Sequence, residues 1–376
     1  MSIKVVIGLG FGDEGKGITT DYLCSQAKKP RVIRFSGGQQ AGHTVVYNGM
    51  RHTFSNFGSG TLRGTPTYWS KYCTMDPVGI MNEHSALDAV MEGRNIPHLY
   101  IDPLCPVTTP FDKQFNKKDG ESLLNGTCGV GVGATWQREE DHYHLHFKDL
   151  FFESVLAAKL AAVGDYYLRK HVKVADHIVE SFFEACQFVV SNIVFGDVKK
   201  ICSHDIIFEG SQGLLLDQDI GFFPNVTRSN TGMKNVLEIL KEAYSINMYP
   251  EVYLVTRAYQ TRHGNGPMTY QGLMNINPGP AENNKDGGSQ GKFRKTILDL
   301  DLLEYAIISD TYLQENGKNL VITCLDHIES NWTFMSRGKR KEFATEDAFV
   351  EEIQRRLNVN KVIRVRSPQT EDFCED

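Results

Sequence analysis

Two glycine-rich stretches near the N-terminus hold the residues best suited to phosphate chemistry. The first, GLGFGDEGKG over residues 8–17, fits two patterns at once. Gly10, Gly12 and Gly15 give GxGxxG, the dinucleotide turn. Gly10, Gly15 and Lys16 give the GxxxxGK of a phosphate-cradling loop, with Gly17 where Ser or Thr is usual. Both patterns have one cause: glycines let the backbone approach a phosphate, and the next helix offers unpaired N–H donors at its N-terminus. A dinucleotide turn wants an acidic residue about 20 positions on. Here the second strand ends in Arg34-Phe35-Ser36, which disfavours NAD. A standard phosphate loop wants a hydroxyl on its magnesium ion, and Gly17 has none, so another group must hold the metal. Asp13 lies inside the loop, where a carboxylate repels phosphate unless it binds Mg²⁺ or moves a proton. The blander alternative is that Asp13 only caps the helix. In the second stretch, Ser36-Gly37-Gly38-Gln39-Gln40-Ala41-Gly42-His43-Thr44, an imidazole follows a glycine turn at a strand end, where ligands sit.

The elements around these residues set their positions. Ile3 to Leu9 and Arg31 to Phe35 read as buried strands. So do Ile206 to Phe208, Val252 to Val255, Leu320 to Thr323 and Val362 to Val365, several ending in polar or glycine residues. Helical patterns run over Ile18 to Gln26, Ile80 to Glu92 and Val174 to Asn192. In the last, Ile178, Phe182, Ala185 and Val189 form a core-facing stripe. Alternating strands and helices predict an α/β fold with a central, mainly parallel sheet and helices on both faces. The ligand crevice then lies beyond the carboxyl ends of the strands. Leu104 to Asn125 and Asn275 to Lys295 read as loops, the second a glycine- and asparagine-rich lid with Lys285, Lys292, Arg294 and Lys295. No repeat or boundary divides residues 1–376, so a single domain is expected.

Bulk properties exclude several classes. A hydrophobic content of 41%, a charged content of 23% and a net charge of −6 give an ordinary globular chain with no footprint for nucleic acid or an anionic membrane. The N-terminus lacks signal-peptide character and no run is long enough to span a bilayer. Eight cysteines without a CxxC pair point to reduced thiols in a cytoplasmic protein. Phe54, Phe57, Tyr68, Trp69 and Tyr72 read as packing of core or interface, and residues 346–356 as a helix with Thr345 as cap. In Asp141-His142-Tyr143-His144-Leu145-His146, a strand would put three imidazoles on one face. No further metal ligand is placed by spacing, and a solvated edge strand explains the pattern equally.

Together the two glycine segments resemble the adenylosuccinate synthetase family. Its G-D-E-G-K-G and later G-G-x-N-A-G-H-T appear here as Gly12-Asp13-Glu14-Gly15-Lys16-Gly17 and Gly37-Gly38-Gln39-Gln40-Ala41-Gly42-His43-Thr44. Further matching segments are Ser59-Gly60, Gly126-Thr127, Phe208-Glu209-Gly210-Ser211-Gln212-Gly213 and Val226-Thr227. Thr261-Arg262-His263-Gly264, Gln290-Gly291-Lys292-Phe293-Arg294 and Thr323-Cys324-Leu325-Asp326 complete the set. The resemblance implies a homodimeric ligase that condenses IMP with L-aspartate, using GTP and Mg²⁺ through a 6-phosphoryl intermediate. It implies that Asp13 removes the N1 proton and ligates Mg²⁺ with the Gly42 carbonyl, that His43 stabilises the 6-oxygen, and that Lys16 contacts the triphosphate. Gly12, Gly15, Gly17, Gly42, His43, Thr44, Arg294 and Asp326 would complete the triphosphate site. Gln40, Thr127, Cys128, Gln212, Thr227 and His263 would join Asp13 around the purine monophosphate. Gln290, Gly291, Lys292 and Arg294 would hold aspartate.

Several positions depart from the family's pattern. Gln40 replaces an asparagine, Cys128 a threonine, and Lys292 an arginine whose bidentate geometry lysine lacks. Arg138 lies near, but out of register with, an inter-subunit arginine. Cys324 replaces the lysine that covers the guanine face, and Ser367-Pro368-Gln369 lacks a glycine-proline pair, so ATP is the alternative to GTP. A related branch aminates GMP or dGMP toward 2-aminoadenine, often with a small hydroxyl residue in place of the catalytic aspartate. Asp13 favours IMP. A nucleotide switch without ligase activity would want a hydroxyl at 17 and a lysine at 324. A silent paralogue would have no need of both Asp13 and His43.

Overall fold

Short runs of aliphatic residues, buried on both faces, build the centre of a ten-stranded sheet whose edges are shorter and, at Val194 and Phe195, exposed. Its strands are β1 (Ile3–Gly8), β2 (Pro30–Arg34), β3 (Thr67–Trp69), β4 (Leu99–Ile101), β5 (Val194–Phe195), β6 (Asp205–Glu209), β7 (Glu251–Arg257), β8 (Lys318–Thr323), β9 (Val362–Val365) and β10 (Phe373–Glu375). They lie in the order β10-β9-β8-β7-β1-β6-β2-β3-β4-β5. All neighbours are parallel except β9 and β10. The computed structural model describes residues 2–119, 128–244, 248–270, 276–278, 282, 284 and 291–375.

Side chains alternate across the sheet. Val5, Ile7, Ile33, Phe208, Leu254 and Ile322 enter the main core, with Val236 and Ile239 of the helix Met233–Tyr244. Val6, Val32, Ile207, Val255, Val321 and Ile363 face the other way, onto Ile18 and Leu23 of α1 (Lys16–Gln26). Burial on both faces is why these strands read as continuous apolar runs. Each buried aliphatic side chain contributes about 1.5–3 kcal/mol. A second core gathers Phe54, Phe57, Trp69 and Ile101 under the helices Pro77–Met91 and Asp176–Asn192, so these aromatics serve packing.

Three local expectations change. Ile178 is 44% exposed, whereas Phe182, Ala185 and Val189 are buried, so the stripe begins one turn later. The segment expected as a loop from Leu104 contains the helix Pro110–Lys118, started by a capping box between Thr109 and Asp112. Its buried Asp112 and Asn116 are polar, which hid the helical period in the sequence. Residues 142–146 are not a strand: His142 has φ 66°, and its N–H donates to the Glu139 carbonyl at 3.0 Å in a turn that ends the helix Val132–Glu140. The helix Glu346–Leu357 does begin as expected, with the Thr345 hydroxyl accepting from Ala348 N–H. Most of the 275–295 lid lies outside the described residues.

Candidate active site

The carboxyl ends of β1, β2, β6, β7, β8 and β9 open on one cleft of about 1080 Å³. Asp13, Lys16, His43, Gln212, Thr227 and Asp326 all line it, brought together from segments far apart in the chain. The backbone is left-handed at three of its non-glycine positions: Asp13 (φ 61°), Gln212 (φ 51°) and Cys324 (φ 58°). Such conformations cost free energy and collect at functional sites.

Around β1 the glycine loop closes on Glu14. This buried carboxylate accepts from Gly10 N–H at 2.8 Å and Gly12 N–H at 3.0 Å, and holds Lys16 Nζ at 3.0 Å. Helix α1 then starts behind Gly15 with no side-chain cap, so Asp13 is not a cap and the N-terminal N–H groups stay open to an anion. The Asp13 carboxylate is 30% exposed and lies 3.3 Å from His263 Nε2. Gly17 lacks the usual hydroxyl for a spatial reason. A Cβ there would meet His43 Cβ at 2.7 Å and Ser59 Oγ at 3.1 Å. The Cα and Cβ of His43, with the Ser59 hydroxyl, fill the space that a phosphate-loop Ser or Thr would need.

His43 Nδ1 pairs with Glu209 Oε1 at 2.7 Å, and Ser59 N–H donates to Glu209 Oε2 at 3.1 Å. Burial pushes the His43 imidazole down, opposed by Glu209. Burial pushes Glu209 up, but the imidazole, Arg34 and Ser59 outweigh it and keep the carboxyl below its usual range. A fixed carboxylate on Nδ1 sets the tautomer and leaves Nε2 for a ligand.

On the β2 and β6 side, the amides of Gln40 and Gln212 crowd over Gly37: a Cβ there would meet Gln40 Nε2 at 2.7 Å and Gln212 Oε1 at 3.1 Å. Among the described residues both Gln40 amide atoms and Gln212 Oε1 are buried without a partner, as are His263 Nδ1 and Arg294 Nε. Orphaned buried polar atoms call for a ligand. Thr227 and Cys128 line the same side. On the β8 and β9 side stand Cys324, Asp326, Ser367 and Pro368. The Asp326 carboxyl is pushed up by burial, partly offset by His327.

Between the two sides the hairpin Gln260–His263 with Phe293–Thr296 brings two arginines together. Arg262 donates to the carbonyls of Pro267 at 2.9 Å and Asn225 at 3.0 Å, and Arg294 donates to Gly266 O at 2.5 Å. Burial, then the Arg294 charge, brings Arg262 down to about 10, and burial alone lowers Arg294. Neither pairs with a carboxylate among the described residues, so the pair holds uncompensated positive charge. Lys292 points to solvent, and neither it nor Gly291 nor Arg294 lines the cleft, whereas Arg262 does. Gly12, Gly15, Gly17, Gly42 and Thr44 do line it, the Thr44 hydroxyl 2.8 Å from that of Thr53. Thr127 and Gln290 lie outside the described residues.

A sequence profile described as adenylosuccinate synthetase matches residues 5–344. The chain belongs to the adenylosuccinate synthetase family. Its enzymes are ligases of purine biosynthesis, and this chain is one of them. An adenylosuccinate synthetase of Francisella tularensis subsp. novicida (strain U112) is 30% identical over 324 residues, covering 81% of this chain and 74% of that one. The fold matches a fully ligated adenylosuccinate synthetase from Plasmodium falciparum with TM-score 0.79 at 18% identity, covering all of both chains. It also matches the succinoaminodeoxyadenylate synthetase of cyanophage S-2L, bound to dGMP and dATP, with TM-score 0.66 at 15% identity, over 100% of this chain and 95% of that one.

Within the adenylosuccinate synthetase site, sequence reasoning left Glu14, Glu209, Arg257 and Arg262 without roles. Arg257 Nε donates to the Asp13 carbonyl at 2.5 Å and its Nη1 meets Glu282 Oε2 at 2.5 Å. Glu14, Glu209 and Arg262 stood inside quoted motifs, and Arg257 two residues beyond the apolar run Val252 to Val255. The signal that was missing is distance across the chain: Glu209 is 166 residues from His43.

Proposed function

We propose that this ligase condenses IMP with L-aspartate at the expense of GTP, giving adenylosuccinate, GDP and phosphate. The observation that carries the reading is the placement of Asp13 and His43 between two unlike subsites. One offers orphaned amides at Gln40 and Gln212; the other offers the Asp326 carboxylate, which suits the N1–H and N2–H₂ donors of guanine. Thr227, Cys128, Thr127 and His263 would join the monophosphate side.

Asp13 accepts the N1 proton of the 6-oxopurine, whose O6 then attacks the γ-phosphorus as the bond to the β-phosphate oxygen breaks. His43, as the imidazolium that the Glu209 carboxylate on Nδ1 supports, donates from Nε2 to that oxygen. The amine of aspartate adds at C6, and phosphate leaves with its oxygen. Lys16 exchanges Glu14 for the triphosphate, and Gly12, Gly15, Gly17 and Thr44 line its path. Arg262 and Arg294 recognise the aspartate carboxylates, with Lys292, Gly291 and Gln290 on the same loop. Asp13 and the Gly42 carbonyl would hold Mg²⁺. Two hard oxygens fit an ion that keeps its other positions for water and phosphate. When bound, it neutralises phosphate charge. A homodimer in the cytoplasm is part of the proposal; no helix among the described residues is long and apolar enough to cross a membrane.

A second reading rests on Cys324, which leaves no long stem over the donor base: a 2-aminoadenylosuccinate synthetase taking GMP or dGMP, with ATP or GTP. Phosphate release with Mg²⁺ and L-aspartate, crossing IMP, GMP and dGMP with GTP and ATP and weighing the product, separates the two. Turnover with IMP and GTP upholds the first reading. Turnover only with GMP or dGMP replaces it.

A further inference from the structure

Outside the cleft, the helix Val132–Glu140 ends in a cluster of donor atoms. Beyond the turn at His142 the chain runs extended, so Leu145 buries its side chain while His144 and His146 share the opposite side. Both rings close on the carboxylate of Glu139. His144 Nδ1 is 2.7 Å and His146 Nε2 3.0 Å from the same oxygen, Oε2. The three atoms lie within 4.8 Å of one another.

The carboxylate is held from behind. Its other oxygen accepts from Arg138 Nη1 at 3.0 Å and Leu145 N–H at 3.2 Å. Arg138 is fully buried and anchored by Asp112 Oδ1 at 3.0 Å and the Val107 carbonyl at 2.8 Å. This is the arrangement of a metal ligand fixed by outer partners.

We propose that Glu139, His144 and His146 form a binding site for a divalent transition-metal ion of the zinc class. Two imidazoles and a carboxylate suit such an ion and not Mg²⁺, which takes oxygen ligands. The ion takes the place of the two imidazole protons now directed at Oε2. Tetrahedral bonds of about 2.0–2.2 Å put ligand atoms roughly 3.3 Å apart, so both ring nitrogens back away from Oε2 and adjust to each other around the ion. His144, 45% exposed, is free to make that adjustment and leaves the fourth position to water.

The site is separate from the proposed chemistry and linked to it mechanically. Val132, Gly133, Ala134 and Gln137 of the same helix line the cleft, and Glu140 pairs with Arg228, beside Thr227, at 3.2 Å. An ion at the far end of this helix pins the turn that terminates it.

The test uses full-length protein without a histidine tag, stripped by chelator and titrated with Zn²⁺ by calorimetry in excess Mg²⁺. One equivalent is expected to bind the wild type and raise its Tm. Losing even an outer partner of a metal ligand costs about 10–100-fold in affinity, so His144→Ala and Glu139→Gln are expected to weaken binding at least that much. Should Glu139→Gln unfold through the loss at Arg138, His144→Ala still reads the site, since its ring is half exposed. Ligase activity of metal-free His144→Ala is expected to match that of the wild type. Failure of the wild type to take up zinc overturns the proposal, and so does unchanged affinity in His144→Ala.

Discussion

Glu209 Oε1 lies 2.7 Å from His43 Nδ1, and both side chains are buried at the carboxyl end of the sheet. The carboxylate ends β6 of the main sheet and the histidine opens the separate hairpin His43–Tyr47 with Met50–Phe54, so the packing of that hairpin against the sheet's edge sets their distance. Glu209 is therefore expected to act through His43 and not on substrate. His43→Ala is expected to lower kcat on the order of 10²-fold or more, the scale of a lost transition-state donor. Glu209→Gln keeps the shape but frees the tautomer, and should cost a comparable factor. The double variant should be no worse than His43→Ala alone, because both changes remove one function. Steady-state kinetics of the three variants decide this, and additive losses would separate the two residues.

Asp13→Asn should abolish turnover while leaving nucleotide affinity, measured by calorimetry, within roughly a few-fold of wild type. The amide preserves shape and cannot accept the N1 proton. Near-normal turnover would remove Asp13 from the base role.

Gly17→Ser restores the hydroxyl of an ordinary phosphate loop, yet it should impair the enzyme. The new Cβ would meet His43 Cβ at 2.7 Å, and overpacking of this kind costs about 1–3 kcal/mol. A lower denaturation midpoint together with reduced kcat is expected. Wild-type stability and kcat would show that the helix start yields instead.

Arg262→Lys and Arg294→Lys should each raise the KM for aspartate by about tenfold, the loss of a planar charge-assisted contact. Affinity for either nucleotide should hold. Lys292→Ala should change the aspartate KM less than either, because its side chain is exposed whereas Arg262 is buried and Arg294 half-buried. Kinetics with aspartate as the varied substrate rank the three.

Much of the architecture was legible in the residues alone. Strands buried on both faces leave uninterrupted apolar runs, and Val5 to Ile7, Ile206 to Phe208 and Leu320 to Ile322 could be found by that signature. The glycine loop announced itself because a backbone that must turn left-handed beside a ligand tolerates few residue types. Asp13 stood out because a carboxylate in a phosphate loop repels phosphate unless it binds a metal or moves a proton, and His43 because it follows a glycine turn at a strand end, where ligands sit. Polar helix interiors such as Asp112 and Asn116 defeated the same reasoning, since Asp112 is satisfied by capping and by Arg138, and Asn116 by the Gly131 N–H, and not by apolar contact.

What the tertiary structure alone decided is who meets whom. Nothing local ties Glu209 to His43, Arg262 to Arg294 or Glu139 to His144 and His146, because a hydrogen bond or an ion pair depends on distances of a few ångströms. Those distances follow from strand order, register and the turn at His142. The sequence names the chemical groups; the parallel sheet, by bringing its carboxyl ends to one edge, decides which of them act together.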